Sequence, residues 1–186
     1  MASTAWTFPG TVDGSAPSHT NVWGTPDNIK ADNTLYATWT SGKISSTAPG
    51  DAAQLQTYNY GFSIPADATI TGIELQMQGK IAPGGSSTNP NQYTYLTDYG
   101  TTTVVGTSKD DLWTLITLTD TIYTYGSSSD LWGATLTPAI VNATNFGAVW
   151  ELYDPVNVPS VEHDYMKMKV HYSEASQPPI IMMIGA

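Results

Sequence analysis

A serine-type triad needs a histidine oriented by a carboxylate and a nucleophile held in a strained turn. The histidines are His19, His163 and His171, and no Gly-x-Ser-x-Gly stretch accompanies them. If one strand holds both, His163 and His171 share a face but lie about eight residues apart, too far to share a metal ion. Both read as surface histidines. Glycoside hydrolysis needs two facing carboxylates. The pool is Asp110 and Asp111 with Glu74, Glu151, Glu162 and Glu174, and no spacing pairs them. The chain therefore reads as non-enzymatic, with no catalytic residue and no cofactor or metal assigned. Asp27, Asn28, Asp32 and Asn33 offer hard oxygens of the kind calcium takes. Their spacing is not that of an EF-hand, and Asx residues also close turns without a metal. Tyr93, Tyr95 and Tyr99, near a Gly-Ser loop at residues 83–87, are a candidate platform for stacking on a sugar ring. The competing reading packs them in the core or an interface with their hydroxyls at the rim.

Composition narrows the field. The chain has 186 residues, no cysteine, no arginine and a net charge of -10, with a pI near 4.3. Disulfides, thiolate metal sites and cysteine nucleophiles are removed at once. A binder of nucleic-acid phosphates would carry the opposite charge, so no nucleic-acid partner is expected. Charged residues make up only 12% of the chain, whereas Thr contributes 27 residues, Tyr 11 and Trp 6. Threonine and aromatics suit a pleated, half-buried surface, which points to an all-β fold.

The chain opens Met1-Ala2-Ser3-Thr4 without a basic or apolar leader, and no run approaches a membrane span. Synthesis in a cytoplasm and no membrane partner are expected. The low charge and abundant Thr, Ser, Gly and Tyr nevertheless match surface-exposed extracellular β-proteins. A virion component, made inside a host and working outside it, satisfies both. A secreted domain separated from its leader is the alternative.

Period-2 alternation places the elements. Ile73, Leu75, Met77 and Ile81 share one face, opposite Glu74, Gln76, Gln78 and Lys80. Met166, Met168, Val170 and Tyr172 share another, opposite Tyr165, Lys167, Lys169 and His171. Further strands are expected at residues 35–40, 58–63, 93–99, 101–105, 112–118, 121–125 and 146–152. Pro138 after Thr137 predicts one short helical turn with a threonine cap. About eight short strands with no amphipathic helix indicate a jelly-roll-like antiparallel β-sandwich. It would occupy residues 34–172, between an N-terminal arm at 1–33 and an extended tail at 173–186. The arm carries Trp6 and Phe8. The tail carries Ile180, Ile181, Met182, Met183 and Ile184 behind the stiff pair Pro178 and Pro179. Five consecutive apolar residues need cover, either as a last strand or against a neighbouring subunit.

Four stretches also resemble, in order, a jelly-roll-like module of tailed-bacteriophage virion structural proteins. Phe62-Ser63-Ile64-Pro65-Ala66-Asp67-Ala68-Thr69-Ile70-Thr71-Gly72-Ile73-Glu74-Leu75 is similar to its "fxIPxxAtIxGIev" segment. Trp23-Gly24-Thr25-Pro26-Asp27-Asn28 with Asp32-Asn33 and Tyr36-Ala37-Thr38 is similar to its "WxxPxN…DnxyAt". Tyr125-Gly126, Asp130-Leu131-Trp132-Gly133, Thr137-Pro138 and Asn145-Phe146-Gly147 match its third block, and residues 161–172 its closing strand. The resemblance covers roughly residues 20–172 and implies a virion structural role. With the two apolar ends, the expectation is a capsid decoration (cement) protein on the head surface, gripping the major capsid protein or other virion proteins, as a homo-oligomer, specifically a trimer. Trp6, Phe8 and the apolar tail residues would be its contacts. The alternative is a tail, fibre or baseplate module that binds host-surface carbohydrate. In the residues themselves, Gly72 permits a bulge at the strand's entry, and Trp132 plugs one end of the sandwich.

Overall fold

The computed structural model describes residues 2–15, 23–39, 53–82, 91–98, 103–112, 119–153 and 160–175. These form two antiparallel sheets packed as a sandwich, the all-β architecture expected from the alternation. The first sheet runs β1 (Ala2–Ser3), β10 (Val161–Ser173), β5 (Thr69–Ile81) and β8 (Thr121–Gly126), with β3 (Ala37–Trp39) paired to the start of β10. The second runs β2 (Thr11–Asp13), β4 (Ala53–Tyr58), β9 (Phe146–Tyr153), β6 (Asn91–Asp98) and β7 (Thr103–Leu112). The long pair β5 and β10 is the spine, in register from Val161 against Ile81 to Ser173 against Thr69. Ile73, Leu75, Met77, Met166, Met168 and Val170 point inward onto Leu55, Leu96, Ala148 and Trp150 of the opposite sheet. Each such burial contributes roughly 1.5–3 kcal/mol.

Two bulges interrupt that spine. In β5, Ile70 faces Tyr172 and Gly72 faces His171, which leaves Thr71 as the extra residue, at the predicted entry point. Gly72 is required there, since a Cβ would collide with the backbone of Ser127 and Ser128. In β10, His163 faces Gly79 and Tyr165 faces Gln78, so Asp164 is the extra residue. An extra residue reverses which face the following side chains occupy. His163 is consequently turned into the core, at 1% exposure, and is not the surface histidine expected from strict alternation. It sits against Trp150, with ring centroids 4.2 Å apart, and against Trp23 at 5.7 Å. His171 is half-buried on the outer face, and His19 lies outside the described residues.

Other departures have equally local causes. Tyr60 and Phe62 do not continue a strand, because β4 ends at Tyr58 and the chain turns through positive φ at Asn59 and Gly61. The two rings stack 5.6 Å apart and are buried as a loop plug. The described parts of residues 1–33 are anchored to the sandwich. Ala2 and Ser3 pair with Tyr172 and His171, residues 11–13 pair with β4, and Trp23 is in the core. The strand expected at 112–118 lies outside the described residues beyond Leu112, as do the 83–87 loop and the tail from residue 176.

The helical turn is α1 (Pro138–Val141), and its Thr137 side chain accepts a hydrogen bond from Ile140 N, as its cap signature predicts. Trp132 is fully buried and links the two sheets, with Nε1 donating to Ile73 O at 3.0 Å. Its backbone takes φ +57, a left-handed conformation unusual for a large side chain. That geometry is held by Trp132 N donating to Asp130 Oδ1 and by Thr107 N donating to Trp132 O. Lys109 locks Asp130 in turn, 2.6 Å away. Although burial pushes the Asp130 carboxyl up, the Lys109 ammonium and the Trp132 N–H hold it below its ordinary value.

Candidate functional site

The two sheets present very different outer faces. On the second sheet, Tyr95 is buried beneath the surface, and its hydroxyl lies 3.4 Å from Glu151 Oε2. Gln54 Nε2 donates to Glu151 Oε2 at 3.3 Å, and Gln56 Nε2 donates to Gln54 Oε1 at 2.7 Å. Glu151 has no exposed surface, and burial together with its charge pushes the Tyr95 phenol well above its ordinary range. Of the proposed tyrosine platform, Tyr95 is thus an internal group, Tyr93 is half-buried on the same strand, and Tyr99 lies outside the described residues.

On the first sheet the outward side chains of Glu74, Gln76, Gln78, Lys167 and Lys169 are half-buried, and Tyr165 is covered, at 1% exposure. Strand register sets them in rows across β8, β5 and β10. One row reads Gly126, Glu74 and Lys169; the next reads Thr124, Gln76 and Lys167; the third reads Ile122, Gln78 and Tyr165. The N-terminal segment extends the rows at the β10 edge. Thr7 exchanges backbone hydrogen bonds with Met168, both at 2.9 Å, and Thr4 N donates to Val170 O. Thr7 is thereby paired with an inward residue, which turns its neighbours Trp6 and Phe8 to the outer face. The Trp6 ring lies 4.4 Å from Lys169 Nζ, and Phe8 meets Tyr165 edge-on at 6.2 Å. Lys167 Nζ stands 4.3 Å from the Tyr165 ring and 5.7 Å from Trp6. Trp6 and Phe8, named from the sequence as contact residues, are therefore brought beside Gln76, Lys167 and Lys169. No sequence signal pointed to that neighbourhood.

Hydrogen bonds orient the rows. Gln76 Nε2 donates to Thr124 Oγ1 at 3.2 Å, and its Oε1 lies 3.4 Å from the Tyr165 hydroxyl. His171 Nε2 meets Glu74 Oε1 at 3.1 Å. Toward β3, Lys80 is 3.5 Å from both Asp120 and Glu162 and stands over the Tyr36 ring at 3.9 Å. The glutamates considered for hydrolysis are thus separated. Glu74 is held by His171, Glu162 by Lys80, Glu151 lies on the other sheet, and Glu174 is exposed. The Asp27 to Asn33 loop spends its side chains on turns and ion pairs. Asp27 pairs with Lys30 at 2.6 Å, Asn28 Nδ2 donates to Tyr36 O, and Asn33 Oδ1 accepts from Leu35 N. Among the described residues no cluster of three or more His, Asp or Glu is arranged to hold a metal ion.

No protein-family model matches the chain, and no curated protein matches it. Among solved structures, isomalto-dextranase from Arthrobacter globiformis T6, complexed with panose, is 8% identical with a TM-score of 0.34. That match covers 81% of this chain but only 22% of the enzyme's length. The CBM22-1 xylan-binding domain of Paenibacillus barcinonensis Xyn10C is also 8% identical, with a TM-score of 0.31, covering 93% of this chain and 100% of the domain. Both likenesses are too distant to carry a functional argument.

Proposed function

We propose that the chain is a non-enzymatic adhesion module that binds carbohydrate on the outer face of the β1–β10–β5–β8 sheet, in the setting of a virion tail, fibre or baseplate. The observation that carries this reading is the row of Thr124, Gln76 and Lys167 ending at the Trp6 and Phe8 rings. A pyranose has an apolar C–H face and a rim of hydroxyls, so it needs a ring to stack on and oriented amides and hydroxyls beside it. Strands spaced about 4.8 Å apart make such a row roughly 14 Å long, room for two or three sugar units. The virion setting rests on the sequence resemblance. The test is a glycan array probed with the wild-type chain, Trp6→Ala, Gln76→Ala and Tyr93→Ala. Trp6→Ala and Gln76→Ala should each weaken binding about tenfold, the equivalent of ~1.4 kcal/mol, with Tyr93→Ala unchanged. Binding lost only in Tyr93→Ala, or no sugar bound at all, refutes the reading.

The cement reading keeps one specific support, the apolar run Ile180, Ile181, Met182, Met183 and Ile184 behind two prolines. With Ala2–Ser3 and Thr11–Asp13 paired into the chain's own sheets, the grip would rest on that tail. Deleting residues 178–186 and measuring association with purified particles separates the two. Head association that depends on the tail, without sugar selectivity, would favour cement.

A further inference from the structure

On the reading just proposed, we infer that the sugar taken by this face carries an anionic group, a carboxylate or a phosphate, held between Lys167 and Lys169. Lys30 is paired with Asp27, Lys80 with Asp120 and Glu162, and Lys109 with Asp130. Lys167 and Lys169 alone among the described lysines have no carboxylate in ion-pair range, in a chain with 16 acidic residues. Glu74 stands opposite Lys169 in the register, but its carboxylate is drawn to His171.

Edge protection does not account for these two cations. Lysines blunt exposed sheet edges, whereas β10 at these residues is flanked by β5 on one side and by the segment of Thr4 and Thr7 on the other. What surrounds them instead is aromatic. Trp6, Phe8 and Tyr165 lie 4.3 to 6.0 Å from the two ammonium groups. Rings attract an ammonium without neutralising its charge, so both charges stay available at the surface. Residues two apart on one strand project from the same face about 7 Å apart, and each carries a flexible four-carbon stem. Two such groups converge readily on one carboxylate or phosphate. Trp6 lies beside them, where the sugar ring bearing that anion would rest. The acidic group nearest this spot is Glu74, whose Oε1 lies 3.1 Å from His171 Nε2.

The experiment is an array of matched pairs: uronate oligosaccharides beside their methyl esters, and sugar phosphates beside their dephosphorylated forms. It is probed with the wild-type chain, the double variant Lys167→Gln/Lys169→Gln, and Trp6→Ala. The wild type should prefer the charged member of a pair at least tenfold. The double variant should bind both members of a pair equally, and Trp6→Ala should weaken both. Which set of pairs responds identifies carboxylate or phosphate as the anion. Equal binding of charged and neutral members, or a preference that survives in the double variant, overturns this inference and leaves carbohydrate binding standing. Failure of every member to bind overturns the carbohydrate reading itself.

Discussion

Mild acid should destabilise this protein through a single buried side chain. His163 is enclosed by Trp23, Trp150 and the Gly79 backbone, and burial lowers its pKa from 6.5 to about 4, against a weak pull upward from the Gln78 carbonyl 3.3 Å from Nδ1. Above pH 6.5 the imidazole is neutral in both folded and unfolded chains, and its packing contributes in full. Below that pH the unfolded chain takes up a proton that the folded protein refuses. Stability therefore falls as the pH drops, until the folded histidine titrates near 4. At about 1.4 kcal/mol for each pH unit in that window, the loss between pH 7.5 and 4.5 is ~2.5 kcal/mol. For a domain of this size that is a fall in Tm of roughly 5–10 °C. Two carboxyls flank the effect. Asp164, raised by burial, keeps its proton longer in the folded state than in the unfolded one, so it opposes the loss on acidification. Asp130, held low by Lys109, sheds its contribution only below the ordinary carboxylate range, outside the window. Urea midpoints at pH 7.5, 6.5, 5.5 and 4.5 should fall for the wild type. They should stay nearly level for His163→Phe, which keeps a ring between the two tryptophans. The same slope in both proteins would refute the reasoning.

Two further outcomes test the scaffold. Trp132→Ala should cost about 3–5 kcal/mol in urea unfolding, and hydrogen exchange should show the Thr107 amide losing protection, since its acceptor is the Trp132 carbonyl. Thr137→Ala removes the cap on α1 and should lower stability by about 1 kcal/mol in a thermal melt followed by circular dichroism, with no change in sugar binding.

Much of the sandwich was legible because burial on one face leaves a period of two. Ile73, Leu75 and Met77 and then Met166, Met168 and Val170 announced the central pair. Thr137 and Pro138 announced the helical turn. Alternation failed where the backbone stops alternating. The bulge at Asp164 inverts His163, and nothing in the residue types marks an inserted position. Tyr58, Tyr60 and Phe62 alternate as a strand does, yet Asn59 and Gly61 adopt positive φ and turn the chain. The site was half legible. The outward row of Gln76, Gln78, Lys167 and Lys169 follows from the pattern, but its pairing with Trp6 and Phe8 is a contact across some 160 residues of chain, which no local period encodes.

The two outer faces show why residue type alone is a poor guide to a binding surface. Tyrosine, glutamine and glutamate occur on both. On the second sheet Tyr95, Gln54 and Glu151 are buried and satisfied by one another, so a ligand would have to displace bonds that already offset the cost of burying a charge. On the first sheet Gln76 and Glu74 stay half-buried at the surface although Tyr165 is covered, and Thr4 and Thr7 fasten the chain's beginning along β10. That segment does two things at once. It covers an edge that would otherwise invite pairing with another chain, and it sets two rings against lysines that no carboxylate neutralises. Trp6 and Phe8, half-buried on the outer face, pack against Tyr165 and the two lysines there. Their position beside Lys167 and Lys169 is the feature on which the proposed binding face rests.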